Sequence, residues 1–129
     1  MKFFKMTNLL DLLSRIFISL LFLINGYFKI VNYDGTLEWM EGYNVPGILL
    51  IPAIILEFAA PILIIVGYKT KTAAFLLAAF CITTGLIFHT DFSSQIQITS
   101  FLKNIALAGG FLLIVVNGSK KYSLDNIKK

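Results

Sequence analysis

Four long apolar segments dominate the sequence, and short polar segments separate them. They cover about residues 9–30, 46–66, 72–88 and 100–116, and each is close to the ~20 residues that a helix needs to cross a bilayer. The polar segment Val31–Val45 carries Trp39 and Tyr43, which suit a membrane interface, and residues 37–41 are expected to form a short interfacial helix. The pattern predicts an all-α, integral membrane four-helix bundle over residues 1–129 as a single domain.

The composition supports lipid as the solvent of this surface. The chain is 57% hydrophobic and 14% charged, whereas soluble domains average roughly 25% charged residues. A formal net charge of +4 suits nucleic-acid binding, but the basic residues lie at the ends of the apolar segments and form no stripe, which excludes that class. Cys81 is the single cysteine, so no intrachain disulfide forms, and no metal or haem ligand set is visible.

Basic residues near the segment ends predict the orientation in the membrane. They cluster before the first segment, between the second and third, and after the fourth, at Lys2, Lys5, Lys69, Lys71, Lys120, Lys121, Lys128 and Lys129. The two other connections carry mainly acidic residues, Asp34, Glu38, Glu41 and Asp91. Since cytoplasmic connections are enriched in lysine and arginine, both termini are expected on the cytoplasmic side.

Two ionisable residues lie inside the predicted spans, where charges are costly. Arg15 lies about two turns into the first span and Glu57 near the middle of the second, so their depths differ by about one turn. We expect Arg15 and Glu57 to form a structural ion pair. The alternative is that Arg15 extends to the cytoplasmic head groups and Glu57 is protonated.

A second polar cluster is predicted towards the outer leaflet. Lys29 ends the first span, His89 ends the third, and Lys103 and Asn104 open the fourth. Together with Glu57 they are candidates to line a ligand pocket, because a quinone head group or a small anion needs hydrogen-bond donors around an apolar slot. The alternative is that the lysines are ordinary interfacial anchors.

The chain resembles the DoxX family of small four-span bacterial membrane proteins over nearly its whole length. The resemblance rests on the order and spacing of several short motifs. These are Ser14-Arg15, Leu20–Lys29, Val45-Pro46-Gly47, Leu56-Glu57, Gly67–Ala74, His89, Lys103–Gly110 and Tyr122–Asp125. The resemblance implies a multi-pass protein of the bacterial inner membrane. Related proteins include a subunit of a thiosulfate:quinone oxidoreductase and a membrane partner in a redox-stress complex.

The resemblance implies a quinone-associated or redox-associated membrane subunit. The chain carries no large soluble domain, so substrate oxidation would need a partner oxidoreductase, and an accessory subunit is favoured over a stand-alone enzyme. Quinone is the one candidate cofactor, no metal is expected, and a homo-oligomer is compatible with this function. The alternatives are a small transporter or proton relay that uses Glu57, and a structural scaffold or assembly factor.

Overall fold

The computed structural model describes residues 2–127, with side chains from residue 6 onward. Five α-helices lie in this part of the chain, at Lys2–Val31 (α1), Tyr33–Gly42 (α2), Leu50–Val66 (α3), Thr70–Phe88 (α4) and Gln95–Asn117 (α5). A 3₁₀ turn at Gly47–Leu49 leads into α3. The side chains of Lys2 and Lys5, and all of Lys128 and Lys129, lie outside the described residues.

Four of these helices are long and apolar enough to cross a membrane, which confirms the predicted all-α fold with four spans. The candidate spans are Met6–Val31, Gly47–Val66, Thr70–Phe88 and Gln95–Asn117. Helix α1 begins seven residues before the predicted span and α5 begins five residues before it, because both helices continue into the more polar residues that precede their apolar parts. The predicted interfacial helix is α2, and it extends beyond residues 37–41 at both ends.

The long helices form an antiparallel bundle in which α1 packs on α3, α3 on α4 and α4 on α5. Helices α1 and α5 close the ring through side chains, with the Phe22 and Phe111 rings 5.4 Å apart, edge to face. The bundle core also contains Ile64, Leu77 and Ala108, all buried. Large apolar side chains such as Phe17 face outward, 67% exposed, as a lipid-facing surface requires.

The two ends of the bundle differ. At one end the start of α1, the α3–α4 turn and the chain after α5 meet, and we call this the termini end. Residues 118–127 form a non-helical C-terminal tail there, which hydrogen-bonds to the α3–α4 turn. At the opposite end lie α2 and the α4–α5 loop, and we call this the cavity end.

Candidate functional site

A cavity of about 600 Å³ lies between the long helices at the cavity end. Apolar side chains from α1, α3, α4 and α5 form most of its wall, and α2 covers part of it. All five residues that the sequence suggested as ligand-binding line this one cavity, namely Lys29, Glu57, His89, Lys103 and Asn104. The structure thus brings the five together, and their binding of a ligand stays a prediction.

An ion pair between α1 and α3 forms the polar centre of the cavity wall. Lys29 Nζ lies 2.5 Å from Glu57 Oε2. The Glu57 side chain is only 2% exposed and the Lys29 side chain 26%, so the pair is desolvated mainly on the carboxylate side. The Lys29 ammonium also lies 5.4 Å from the centre of the Phe80 ring on α4, within the range of a cation–π contact.

The predicted ion pair between Arg15 and Glu57 does not form, because each residue has other partners. Arg15 Nε lies 3.0 Å from Asp11 Oδ2, and Arg15 Nη1 donates to the carbonyl oxygens of Ile64 at 2.9 Å and Ile65 at 2.8 Å. Arg15 is therefore level with the last turn of α3. Glu57 lies seven residues earlier in α3, about 10 Å along the helix axis, and an arginine at this level reaches nearer acceptors first.

A second polar group in the wall joins α4 to α5. Asn104 Nδ2 donates to Thr84 Oγ1 at 3.2 Å, and Thr84 Oγ1 in turn donates to the Phe80 carbonyl at 2.9 Å. The close approach of the two helices depends on Gly85, since a Cβ there would lie 3.3 Å from Asn104 Cβ. Thr84 lines the cavity too, although nothing in the sequence marks it as a site residue, since threonine is ordinary in membrane helices.

Aromatic side chains form part of the cavity wall near α2 and the end of α4. The Trp39 ring on α2 stacks on Phe88 with centres 4.2 Å apart, and its centre lies 6.4 Å from that of His89. His89 Nδ1 lies 3.2 Å from Gln97 Oε1, which fixes the ring between α4 and α5. Trp39 lines the cavity, whereas the sequence suggested only an interfacial anchor. Cys81 lines the cavity as well and is buried.

A separate polar network closes the termini end. Arg15 Nη2 donates to the Tyr122 carbonyl at 2.6 Å, and the Lys120 N–H donates to Asp11 Oδ2 at 3.0 Å. Arg15 is 1% exposed, and its hydrogen bonds use the carbonyls that the end of α3 leaves without helical partners. Arg15 therefore fastens α1, α3 and the C-terminal tail together.

Asp125 fastens the same tail to the start of α4. Its carboxylate accepts hydrogen bonds from the Lys69 N–H at 2.9 Å, the Thr70 N–H at 3.0 Å and the Thr70 hydroxyl at 2.7 Å. Partial burial works to raise the pKa of Asp125. The hydrogen bonds from Thr70 and Lys69, together with the Arg15 charge, outweigh burial and hold that pKa below its ordinary value.

Comparison with known proteins finds relatives over most of the chain. The DoxX family model matches residues 10–90. Inner membrane protein YqjF of Escherichia coli (strain K12) is 37% identical over 123 residues, which cover 95% of this chain and 95% of that protein. Inner membrane protein YphA of the same organism is 34% identical over 121 residues, covering 88% and 86%. No solved structure matches the chain.

Both relatives are inner membrane proteins, which agrees with the four helices long and apolar enough to cross a membrane. The alignments also cover most of each protein. The matched residues 10–90 contain the Lys29–Glu57 pair and His89, and the longer alignment to YqjF spans nearly all of the chain. The protein is an integral protein of the bacterial inner membrane, and it belongs to the DoxX family.

Proposed function

We propose that this protein is a quinone-associated membrane subunit that holds a ligand head group in the cavity and acts with a partner oxidoreductase. The observation that carries the proposal is a single cavity of about 600 Å³ whose largely apolar wall contains Lys29, Glu57, His89, Lys103 and Asn104. Sites for small amphipathic ligands combine such a wall with a few polar groups that orient the head group.

The hydrogen-bonding capacity of the cavity matches a quinone ring. Quinone carbonyl oxygens accept hydrogen bonds, and an ammonium group has three N–H donors, of which Lys29 uses one on Glu57. The Asn104 amide has two N–H donors and uses one on Thr84. Donors on two different helices thus remain for the two carbonyls. The chain would bind and orient the quinone, and the partner would supply the redox centre.

The single tryptophan gives a direct test, because Trp39 lines the cavity and quinones quench indole fluorescence at short range. The full chain in neutral-lipid nanodiscs is titrated with a short-chain benzoquinone while Trp39 emission is followed. Saturable quenching is expected. Asn104→Leu should lower the affinity read from the quenching curve by about tenfold or more, since a hydrogen bond worth roughly 1.4 kcal/mol corresponds to a tenfold change in affinity.

Lys69→Met is the matched control, because Lys69 is exposed at the termini end, away from the cavity. It should leave the quenching curve unchanged. Quenching that rises linearly without saturation, or that Asn104→Leu leaves untouched, would contradict quinone binding in this cavity.

The burial of Glu57 beside the cavity favours a second candidate function, a proton or solute relay. Carboxylates at membrane depth that pair with another ionisable group mark proton and solute pathways in many membrane proteins. Proteoliposomes would then show pH-driven flux that Glu57→Gln abolishes. Flux without saturable quenching of Trp39 would favour the relay over the quinone site.

The partner is tested separately, by a mild-detergent pull-down of the tagged chain from its native membranes. A soluble oxidoreductase recovered in stoichiometric amounts supports the accessory-subunit role. Recovery of the chain alone contradicts that role and favours the relay.

A further inference from the structure

The charges that line the cavity do not balance. The lysines Lys29 and Lys103 line it, and Glu57 is the only carboxylate among the described residues that does so. Glu57 is engaged by Lys29 at 2.5 Å. Among the residues that the structure describes, Lys103 forms no ion pair. With all three groups ionised, one positive charge is left over, and it belongs to Lys103.

Lys103 lies on the part of α5 that lines the cavity, so its charge is beside the cavity. It lies eight residues after Gln95, the first residue of α5, and so about 12 Å along the helix axis. Leu107 follows one turn later on the same face of α5, and Asn104 is adjacent in sequence, and all three line the cavity. Lys103 is exposed, so its ammonium group is accessible to a ligand in the cavity, and no carboxylate in the part of the chain described pairs with it.

We propose that the ligand carries a negatively charged oxygen on its head group and that Lys103 is the counter-ion. The inference rests on the proposed function and narrows it to an acidic amphiphile. The charged oxygen has two sources, the ionised hydroxyl of a hydroxyquinone or the carboxylate of a fatty acid. In both cases Lys103 and the Asn104 amide, neighbours on α5, would bind the head group, and the apolar wall would hold the remainder.

Two matched pairs of ligands separate charge from shape. The first pair is 2-hydroxy-1,4-naphthoquinone, which is anionic at neutral pH, and 2-methoxy-1,4-naphthoquinone, which is neutral, both followed by quenching of Trp39. The second pair is decanoate and decanol, followed by the shift in the unfolding temperature of the full chain. Neutral-lipid nanodiscs are used throughout, so that lipid charge does not bias the partitioning of the anions.

The anionic member of at least one pair is expected to bind about tenfold more tightly than its neutral counterpart, as one charge-assisted hydrogen bond provides. Lys103→Met should abolish this preference, and Lys103→Arg should retain it. Lys69→Met, which removes an exposed lysine at the termini end, should change neither. Arginine keeps the positive charge but differs in shape. If Lys103→Arg retains the preference for the anion, the charge of Lys103 and not its packing is responsible.

The outcomes distinguish this inference from the quinone proposal. If both naphthoquinones quench with equal affinity and decanoate stabilises no more than decanol, quinone binding stands and the counter-ion role of Lys103 is overturned. If neither naphthoquinone quenches but decanoate stabilises in a Lys103-dependent way, the quinone proposal fails and the acidic ligand is a carboxylate. A preference for the anion that persists in Lys103→Met also overturns the inference.

Discussion

At the residue scale, the Lys29–Glu57 pair places two opposite charges at membrane depth, where charges are costly. Glu57 is 1% exposed, and its carboxylate has its described partner in Lys29. A buried carboxylate that loses its cation keeps the full desolvation penalty, whereas a lysine that is 26% exposed can still reach polar surroundings. The two halves of the pair are therefore unequal.

This inequality predicts the order of two substitutions. Lys29→Met should lower the free energy of unfolding by about 3 kcal/mol, and Glu57→Gln should lower it less. The double variant should cost less than the sum of the two, with a coupling of at least about 1 kcal/mol. Thermal unfolding in a mild detergent measures all three variants.

Arg15→Met combined with Glu57→Gln is the control for this pair. Because Arg15 bonds to Asp11, Ile64 and Ile65 rather than to Glu57, the effects of these two substitutions should add. A coupling between Arg15 and Glu57 as large as that between Lys29 and Glu57 would contradict the contacts described here.

The residue scale also marks where sequence reasoning failed. Asp11 and Arg15 are four residues apart on one helix, a spacing that favours an ion pair by itself. The depth of a residue on one helix can be compared with that on another only if the relative positions of the helix ends are known. Helix α1 extends well past the end of α3, so the predicted span ends did not place Arg15 and Glu57 at their correct relative depths. The local spacing was the more reliable signal for Arg15.

At the element scale, the C-terminal tail docks by hydrogen bonds on the end of α3. Gly67 ends α3 with a φ of +75°, which favours glycine. The backbone N–H groups of Leu124 and Asp125 donate to the carbonyls of Val66 and Gly67 at 2.9 and 2.7 Å. A Cβ at Gly67 would lie 2.1 Å from Ser123 Cβ, so the tail can dock only if residue 67 has no side chain.

Gly67→Ala should therefore release the tail while the four long helices remain folded. Both the strain of a positive φ and the collision with Ser123 act against the docked state. Hydrogen–deuterium exchange should rise in residues 119–127 and stay low in α4. Gly109→Ala is the matched control, because a Cβ there meets nothing within 4 Å, and unchanged exchange in both variants would count against tail docking.

The Asp125 carboxylate makes tail docking dependent on pH. Since the pKa of Asp125 is lower in the folded protein than its ordinary value of 3.8, its stabilisation is complete above that value. It is lost as the pH falls through the lower folded pKa. The difference in unfolding temperature between the native chain and Asp125→Asn should be constant from pH 8 to about pH 5 and should shrink in stronger acid. A difference that grew on acidification would contradict this assignment.

The helices themselves were predictable because hydrophobic segments of spanning length carry a strong signal. The tail was not, because Tyr122–Asp125 has no periodicity, and its structure depends on partners such as Gly67 and Thr70, more than fifty residues away. The cavity was predictable in part. Its five polar residues stood out as costly in lipid, while Thr84 and Trp39 gave no comparable signal.

At the scale of the whole molecule, the two ends of the bundle have opposite characters. The tail and the Arg15 network close the termini end, whereas the cavity lies at the other end beside α2 and the α4–α5 loop. A ligand therefore has access from the cavity end or from the surrounding lipid. Which aqueous compartment that end faces decides where a soluble partner can meet the ligand.

The distribution of lysines predicts that the cavity end faces away from the cytoplasm, since Lys69, Lys71, Lys120 and Lys121 all lie at the termini end. In a Cys81→Ala background, Ser93→Cys in the α4–α5 loop should react with a membrane-impermeant maleimide on intact cells. Lys71→Cys should react only after the membrane is permeabilised. Both positions are exposed in the structure, so a difference in labelling reports the side of the membrane rather than burial.

The reverse labelling pattern would mean that the cavity end faces the cytoplasm, where a cytoplasmic oxidoreductase could dock directly over it. The expected pattern instead requires such a partner to act from the outer side or through quinone that diffuses in the bilayer.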